Sequence, residues 1–114
     1  MPRTLYTTCP MGTTEWRVYI VDADDPALKL GGDACYAITD PDTCTILLSA
    51  EIKPSRRPKF LVHELIHAAI DASGLAITQR WNDAREEVIV RQLSDHLAHA
   101  LVGGGLWKGR RAPR

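Results

Sequence analysis

Between Phe60 and Ala72 nine of the side chains are aliphatic or aromatic, and the ionisable groups are His63, Glu64, His67 and Asp71. A run of this kind, closed by Ser73-Gly74, predicts a helix with one face turned to a core. On a helix His63 and His67 are four residues apart and lie one turn apart on one face, so both imidazoles reach the same point in space. Glu64 projects close to that face. Polar groups set among aliphatic side chains are costly unless partnered. A zinc ion is one partner: His63 and His67 bind it, and Glu64 takes a proton from an activated water without occupying a coordination position. The plain alternative is a pair of core histidines satisfied by the protein itself. With four His and five Glu in 114 residues, a shuffled chain would contain H-E-x-x-H with a frequency of about 0.6%. That frequency favours the metal reading.

The length suits one domain, spanning residues 1–114, with a modest core. Net charge is zero, but the bases are bunched. Lys53, Arg56, Arg57 and Lys59 sit in a stretch without acids, and Lys108, Arg110, Arg111 and Arg114 form a basic tail over 106–114. Clusters of this size are local and do not by themselves define a nucleic-acid-binding protein. No run approaches the ~18 apolar residues of a membrane span, and the first residues lack the apolar core of a signal peptide, so the chain reads as soluble and cytoplasmic. Cys9, Cys35 and Cys44 are odd in number and lack C-x-x-C spacing, which excludes both a disulfide scaffold and a cysteine zinc knuckle.

Residues 1–14 show no periodicity and are expected to be an irregular lead-in. Glu15 to Asp22 alternates, with Trp16, Val18 and Ile20 on one side, and predicts a strand. Cys35 to Thr39 and Cys44 to Ser49 flank Asp40-Pro41-Asp42-Thr43 and predict a hairpin pairing Thr39 with Cys44 and Ala37 with Ile46. The second of these strands is the expected sheet edge. Ser55 is the expected N-cap of the motif helix, with Pro58 in its first turn. A second helix runs from its N-cap Asn82 to about Val102, where Gly103-Gly104-Gly105 stops it. The expected architecture is α+β: a three-stranded, mostly antiparallel sheet packed on the motif helix and a second long helix.

A catalytic zinc needs a third protein ligand. Continuation of the motif as H-E-x-x-H-x-x-G-x-x-H is excluded, because Ile70 and Ser73 stand where the glycine and histidine would be. The other common layout takes a glutamate from the following helix, where Glu86 and Glu87 stand; the plain alternative is that Glu86 serves the helix N-terminus in a capping box with Asp83 and no glutamate ligates. On a helical wheel with Ile89 at zero, Ile89, Val90, Leu93, Leu97, Ala100 and Leu101 form an apolar stripe between about 0° and 120°; Glu86 falls near 60° and Glu87 near 160°. Glu86, in the middle of the stripe, is therefore the expected ligand, with Glu87 the alternative. His96 and His99 fall away from the stripe and are expected to face solvent. Asp71 is a candidate hydrogen-bond partner for His67.

The residues Leu61-Val62-His63-Glu64-Leu65-Ile66-His67-Ala68-Ala69, followed by Glu86-Glu87-Val88-Ile89-Val90-Arg91-Gln92-Leu93, resemble the gluzincin branch of zinc metallopeptidases. More narrowly they resemble small phage- and prophage-encoded metallopeptidase-like proteins distant from the ImmA/IrrE group. The hairpin around Thr45-Ile46-Leu47-Leu48 fits the same layout. The resemblance implies a zincin-like domain with a sheet beside the motif helix, one zinc on His63, His67 and a helix-borne glutamate, and Glu64 as general base. It departs from the thermolysin pattern at the residue four after the ligand glutamate, an aspartate there and Val90 or Arg91 here. Tyr36, His96 and His99 are the candidate oxyanion donors. The expected activity is hydrolysis of a protein or peptide substrate. The competing expectation is a non-enzymatic, zinc-stabilised module that contacts nucleic acid or an acidic partner through the basic clusters.

Overall fold

The computed structural model describes residues 3–29 and 35–105. Among the described residues four strands, β1 (Thr4–Met11), β2 (Thr14–Val21), β3 (Ala37–Asp40) and β4 (Thr45–Ser49), precede three α-helices, α1 (Arg57–Ser73), the short α2 (Leu75–Thr78) and α3 (Asp83–Gly103). The sheet order is β1-β2-β4-β3. β1 and β2 form an antiparallel hairpin, β2 and β4 run parallel, and β4 pairs antiparallel with β3. The α+β class holds, but the sheet has four strands and is mixed.

The additional strand is β1, where the sequence predicted an irregular lead-in. It turns into β2 through Gly12, whose φ of 62° suits a tight hairpin turn. A register irregularity between Leu5 and Thr7 breaks the simple alternation along β1, and this hides the strand from a period-two search.

The β3–β4 hairpin forms two residues out of the expected register: Thr39 faces Ile46 and Ala37 faces Leu48. The cause is the turn. Asp40 accepts hydrogen bonds from the Asp42 amide and the Thr43 hydroxyl, both 3.0 Å, and Cys44 adopts φ 52°. Cys44 thus belongs to the turn, and the first pair is Asp40 with Thr45.

β4 was the expected edge but lies between β2 and β3. Its consecutive Ile46, Leu47 and Leu48 are all buried, as a central strand covered on both faces requires. Ile46 and Leu48 join Trp16, Val18, Leu61 and Ala68 in the main core, and Leu47 joins Val21 and Leu28 on the other face. The outer edge strand on this side is β3.

Ser55 lies in a 3-10 turn, Pro54–Arg56, and α1 begins after it at Arg57 with no side-chain cap. The C-terminus of α1 falls where glycine predicts it, with Gly74 at φ 68° and its amide bonded back to the last turn. Asn82 caps α3 by accepting from the Arg85 amide. α3 packs on α1, but with a different face from the expected one. Its buried residues are Val90, Ser94 and Ala98, centred near 140° on the wheel and so rotated by about 80° from the leucine stripe. Small side chains at successive turns let two helices approach closely, and that contact excludes the bulkier leucines. Leu93 and Leu97 remain 47% and 45% exposed. Leu97 and Leu101 instead border an apolar groove of about 580 Å³ with Met11, Leu65, Ile66 and Ala69.

Candidate metal centre

The polar residues of the motif gather at the junction of α1, α3 and the sheet edge. The rings of His63 and His67 stand 5.1 Å apart, as residues one helical turn apart should. The rotation of α3 decides which glutamate meets them. Near 160° on the wheel, Glu87 lies close to the centre of the buried seam, and its carboxylate reaches both rings. Oε1 is 2.9 Å from His63 Nε2 and Oε2 is 3.0 Å from His67 Nε2. His63, His67 and Glu87 each offer a ligand atom, and the three atoms lie within 4.8 Å of one another. The glutamate brought to both Nε2 atoms is thus Glu87, the alternative of the sequence reading, and not the expected Glu86.

Glu86 stands behind His67, in short hydrogen-bond contact with Nδ1 through its Oε2. Behind His63, the Oγ of buried Ser94 lies 3.4 Å from Nδ1. Both rings therefore have their Nδ1 atoms occupied by the protein and their Nε2 atoms turned to the common point. A hydrogen bond at Nδ1 fixes both tautomer and ring orientation, as metal-ligating histidines require. Asp71, the expected partner for His67, is exposed.

Glu64 is buried at 7% exposure. The Thr39 hydroxyl lies 3.0 Å from its Oε1 and 3.1 Å from its backbone oxygen. The other carboxylate oxygen, Oε2, lies 3.9 Å from His63 Nε2, outside hydrogen-bonding distance and on the side of the common point. Burial pushes the Glu64 carboxyl up to about 7, with the His67 charge and the Thr39 hydroxyl opposing that rise. For Glu87 burial acts in the same direction, but His63, His67 and Arg91 outweigh it and hold that carboxyl below its ordinary range. Burial lowers His63, with the Glu87 carboxylate pulling the other way. Two neighbouring carboxyls are thus driven apart, one suited to exchanging protons near neutrality and one to staying ionised.

An open cavity of about 420 Å³ adjoins the trio, lined by Tyr36, Phe60, His63, Glu64, Glu87 and Arg91 among others. Arg91, one turn after Glu87, places its Nε 3.2 Å from Glu87 Oε1. Of the sequence candidates for an oxyanion donor, Tyr36 borders this cavity, whereas His96 and His99 are exposed and border a different depression. Arg57 of the basic cluster sits 5.9 Å over the Tyr6 ring, and Lys59 is 3.3 Å from Asp95. The basic tail lies outside the described residues.

The donor set, two imidazole nitrogens and one carboxylate oriented from behind and open to a cavity on one side, could hold a metal ion. No family profile, curated protein or solved structure matches the chain. Thr39 and Ser94 were not singled out from the sequence. Ser94 had a signal, a polar residue seven positions after Glu87 on the same helix face. Thr39 had none, because its contact depends on β3 packing against α1.

Proposed function

We propose that this chain is a zincin-like, zinc-dependent metallopeptidase. The observation that carries the reading is the convergence of both Nε2 atoms and the Glu87 carboxylate on one point, with a free Glu64 oxygen beside it. A zinc ion held by His63, His67 and Glu87 would polarise a substrate carbonyl and make water a nucleophile near neutral pH. Glu64, raised by burial to about 7, accepts the proton of the attacking water through Oε2 and delivers it to the leaving amine. Glu86 and Ser94 hold the imidazoles in the tautomer that leaves Nε2 unprotonated. Arg91 anchors Glu87. The outer side of β3 supplies backbone groups for pairing an extended peptide past the cavity, a role the sequence reading gave to β4.

The deciding measurement is the zinc content of purified protein at neutral pH, followed by cleavage of a mixed peptide library. Wild type and Glu64→Gln should each hold about one zinc per chain, and the Gln substitution should abolish turnover. His67→Ala and Glu87→Ala should lose the metal. A wild type that takes up no zinc when the ion is supplied, or a Glu64→Gln variant that cleaves as well as wild type, would overturn the proposal. Salt-sensitive DNA binding that survives Glu64→Gln would favour the binding module instead.

A further inference from the structure

Glu64 has two carboxylate oxygens in different surroundings. Its side chain is 9% exposed, and the hydrogen-bond donor it meets among the described residues is the Thr39 hydroxyl at Oε1. Oε2 is left facing the imidazoles. Thr39 comes from another element: it is the third residue of β3, whose Ala37 and Thr39 share the face turned to α1. The same hydroxyl lies 3.1 Å from the Glu64 backbone oxygen, so its single proton is shared between two acceptors of one residue, and strand and helix meet at the residue that carries the carboxylate. β3 ends the sheet order, with its other side unpaired within the sheet.

We propose that Thr39 is a positioning residue: its hydroxyl tethers Oε1 of Glu64, so that Oε2 is the oxygen presented to the reacting water. A carboxylate without that tether has several rotamers available, and only those aiming an oxygen at the common point serve proton transfer. The tether has a second effect. A peptide paired along β3 would be aligned by the strand that also sets the base, so substrate register and base orientation share one reference. The catalytic part of this inference rests on the metallopeptidase reading; the tether itself does not.

Two experiments on the full chain separate the cases. The first is a double-mutant cycle in metal-free protein at pH 8, read by urea unfolding. Thr39→Val keeps the β-branched shape and removes the hydroxyl; Glu64→Leu removes the carboxylate and leaves the backbone acceptor. Thr39→Val should raise the unfolding constant by about tenfold in wild type, the order expected for a hydrogen bond to a charged group, and by no more than about threefold in Glu64→Leu. Equal factors in both backgrounds would overturn the tether. Should Thr39→Val fail to fold, Thr39→Ser and Thr39→Ala form the same comparison, with the serine retaining the coupling. The second experiment is turnover of a library peptide by zinc-loaded protein. Thr39→Val should lower kcat by ten- to a hundredfold with KM and zinc affinity unchanged, and Thr39→Ser should restore most of it. A change in KM alone, or no rescue by serine, would overturn the positioning role. A wild type that cleaves nothing refutes the metallopeptidase reading, and the cycle still decides the tether.

Discussion

Substituting Glu64 by Gln should change how the metal-free protein's stability depends on pH. In the folded chain the Glu64 carboxyl is almost enclosed and keeps its proton up to about 7, against an ordinary 4.5. Between those two values the folded state binds more protons than the unfolded one, so this group's contribution falls as pH rises. Over the whole interval the loss is about 3 kcal/mol. His63 acts with the opposite sign. Its folded value is lowered by burial, so the unfolded state binds the extra proton and stability rises with pH up to the ordinary histidine range. Glu87, held low by its cationic neighbours, contributes stability that is lost only as pH falls below the ordinary carboxylate range. The raw profile is therefore a mixture, and the difference between wild type and Glu64→Gln reports Glu64 together with its coupling to His67 and Glu87, since Gln does not titrate. Urea unfolding of both proteins in chelator, at pH 4 and pH 8, should show wild type losing about 3 kcal/mol relative to the variant. A difference that stays constant to within ~0.5 kcal/mol would refute the claim that Glu64 is enclosed without a charge partner strong enough to keep it ionised.

The two adjacent glutamates should behave unequally toward zinc. By chelator competition, Glu86→Gln should weaken binding by about 10- to 100-fold, as loss of an orienting partner does, and Glu87→Gln should weaken it further; equal effects would leave the ligand unassigned. Packing offers an independent check on the rotation of α3. Ala98→Leu, which places a bulky side chain in the seam, should destabilise the chain by about 1–3 kcal/mol in urea, and no loss would mean that the seam is elsewhere.

Much of the site was legible because it is local. His63, Glu64 and His67 occupy one turn of one helix, and their mutual placement follows from helical geometry alone. The end of α1 and the start of α3 were legible for the same reason: Gly74 and Asn82 act on their immediate neighbours. What failed involved choices between elements. The wheel of α3 was oriented by its leucines, yet Val90, Ser94 and Ala98 form the buried face, because close approach of two helices favours small side chains over the most hydrophobic ones. That rotation brings Glu87 to both Nε2 atoms and leaves Glu86 at His67 Nδ1. The hairpin position alone suggests an edge for β4, but its unbroken Ile46-Leu47-Leu48 describes a strand covered on both faces. β1 was obscured by its register irregularity, and the hairpin register was shifted by the left-handed Cys44.

The seam of α3 also acts as a ruler. Its side chains repeat at every fourth residue, so sliding the helix by four residues, about 6 Å, toward its N-terminus would again bring small or aliphatic groups, Ser94, Ala98 and Val102, to the same places. The charge would repeat in one direction only. A slip in one direction puts Arg91 where Glu87 stands, a guanidinium facing two imidazoles. A slip in the other puts Asp83 there and draws the capped first turn of α3 into the contact. Small seam residues alone fix the alignment weakly, and Glu87, set between the capped first turn at Asp83 and the base Arg91, is the residue of this row that makes it specific.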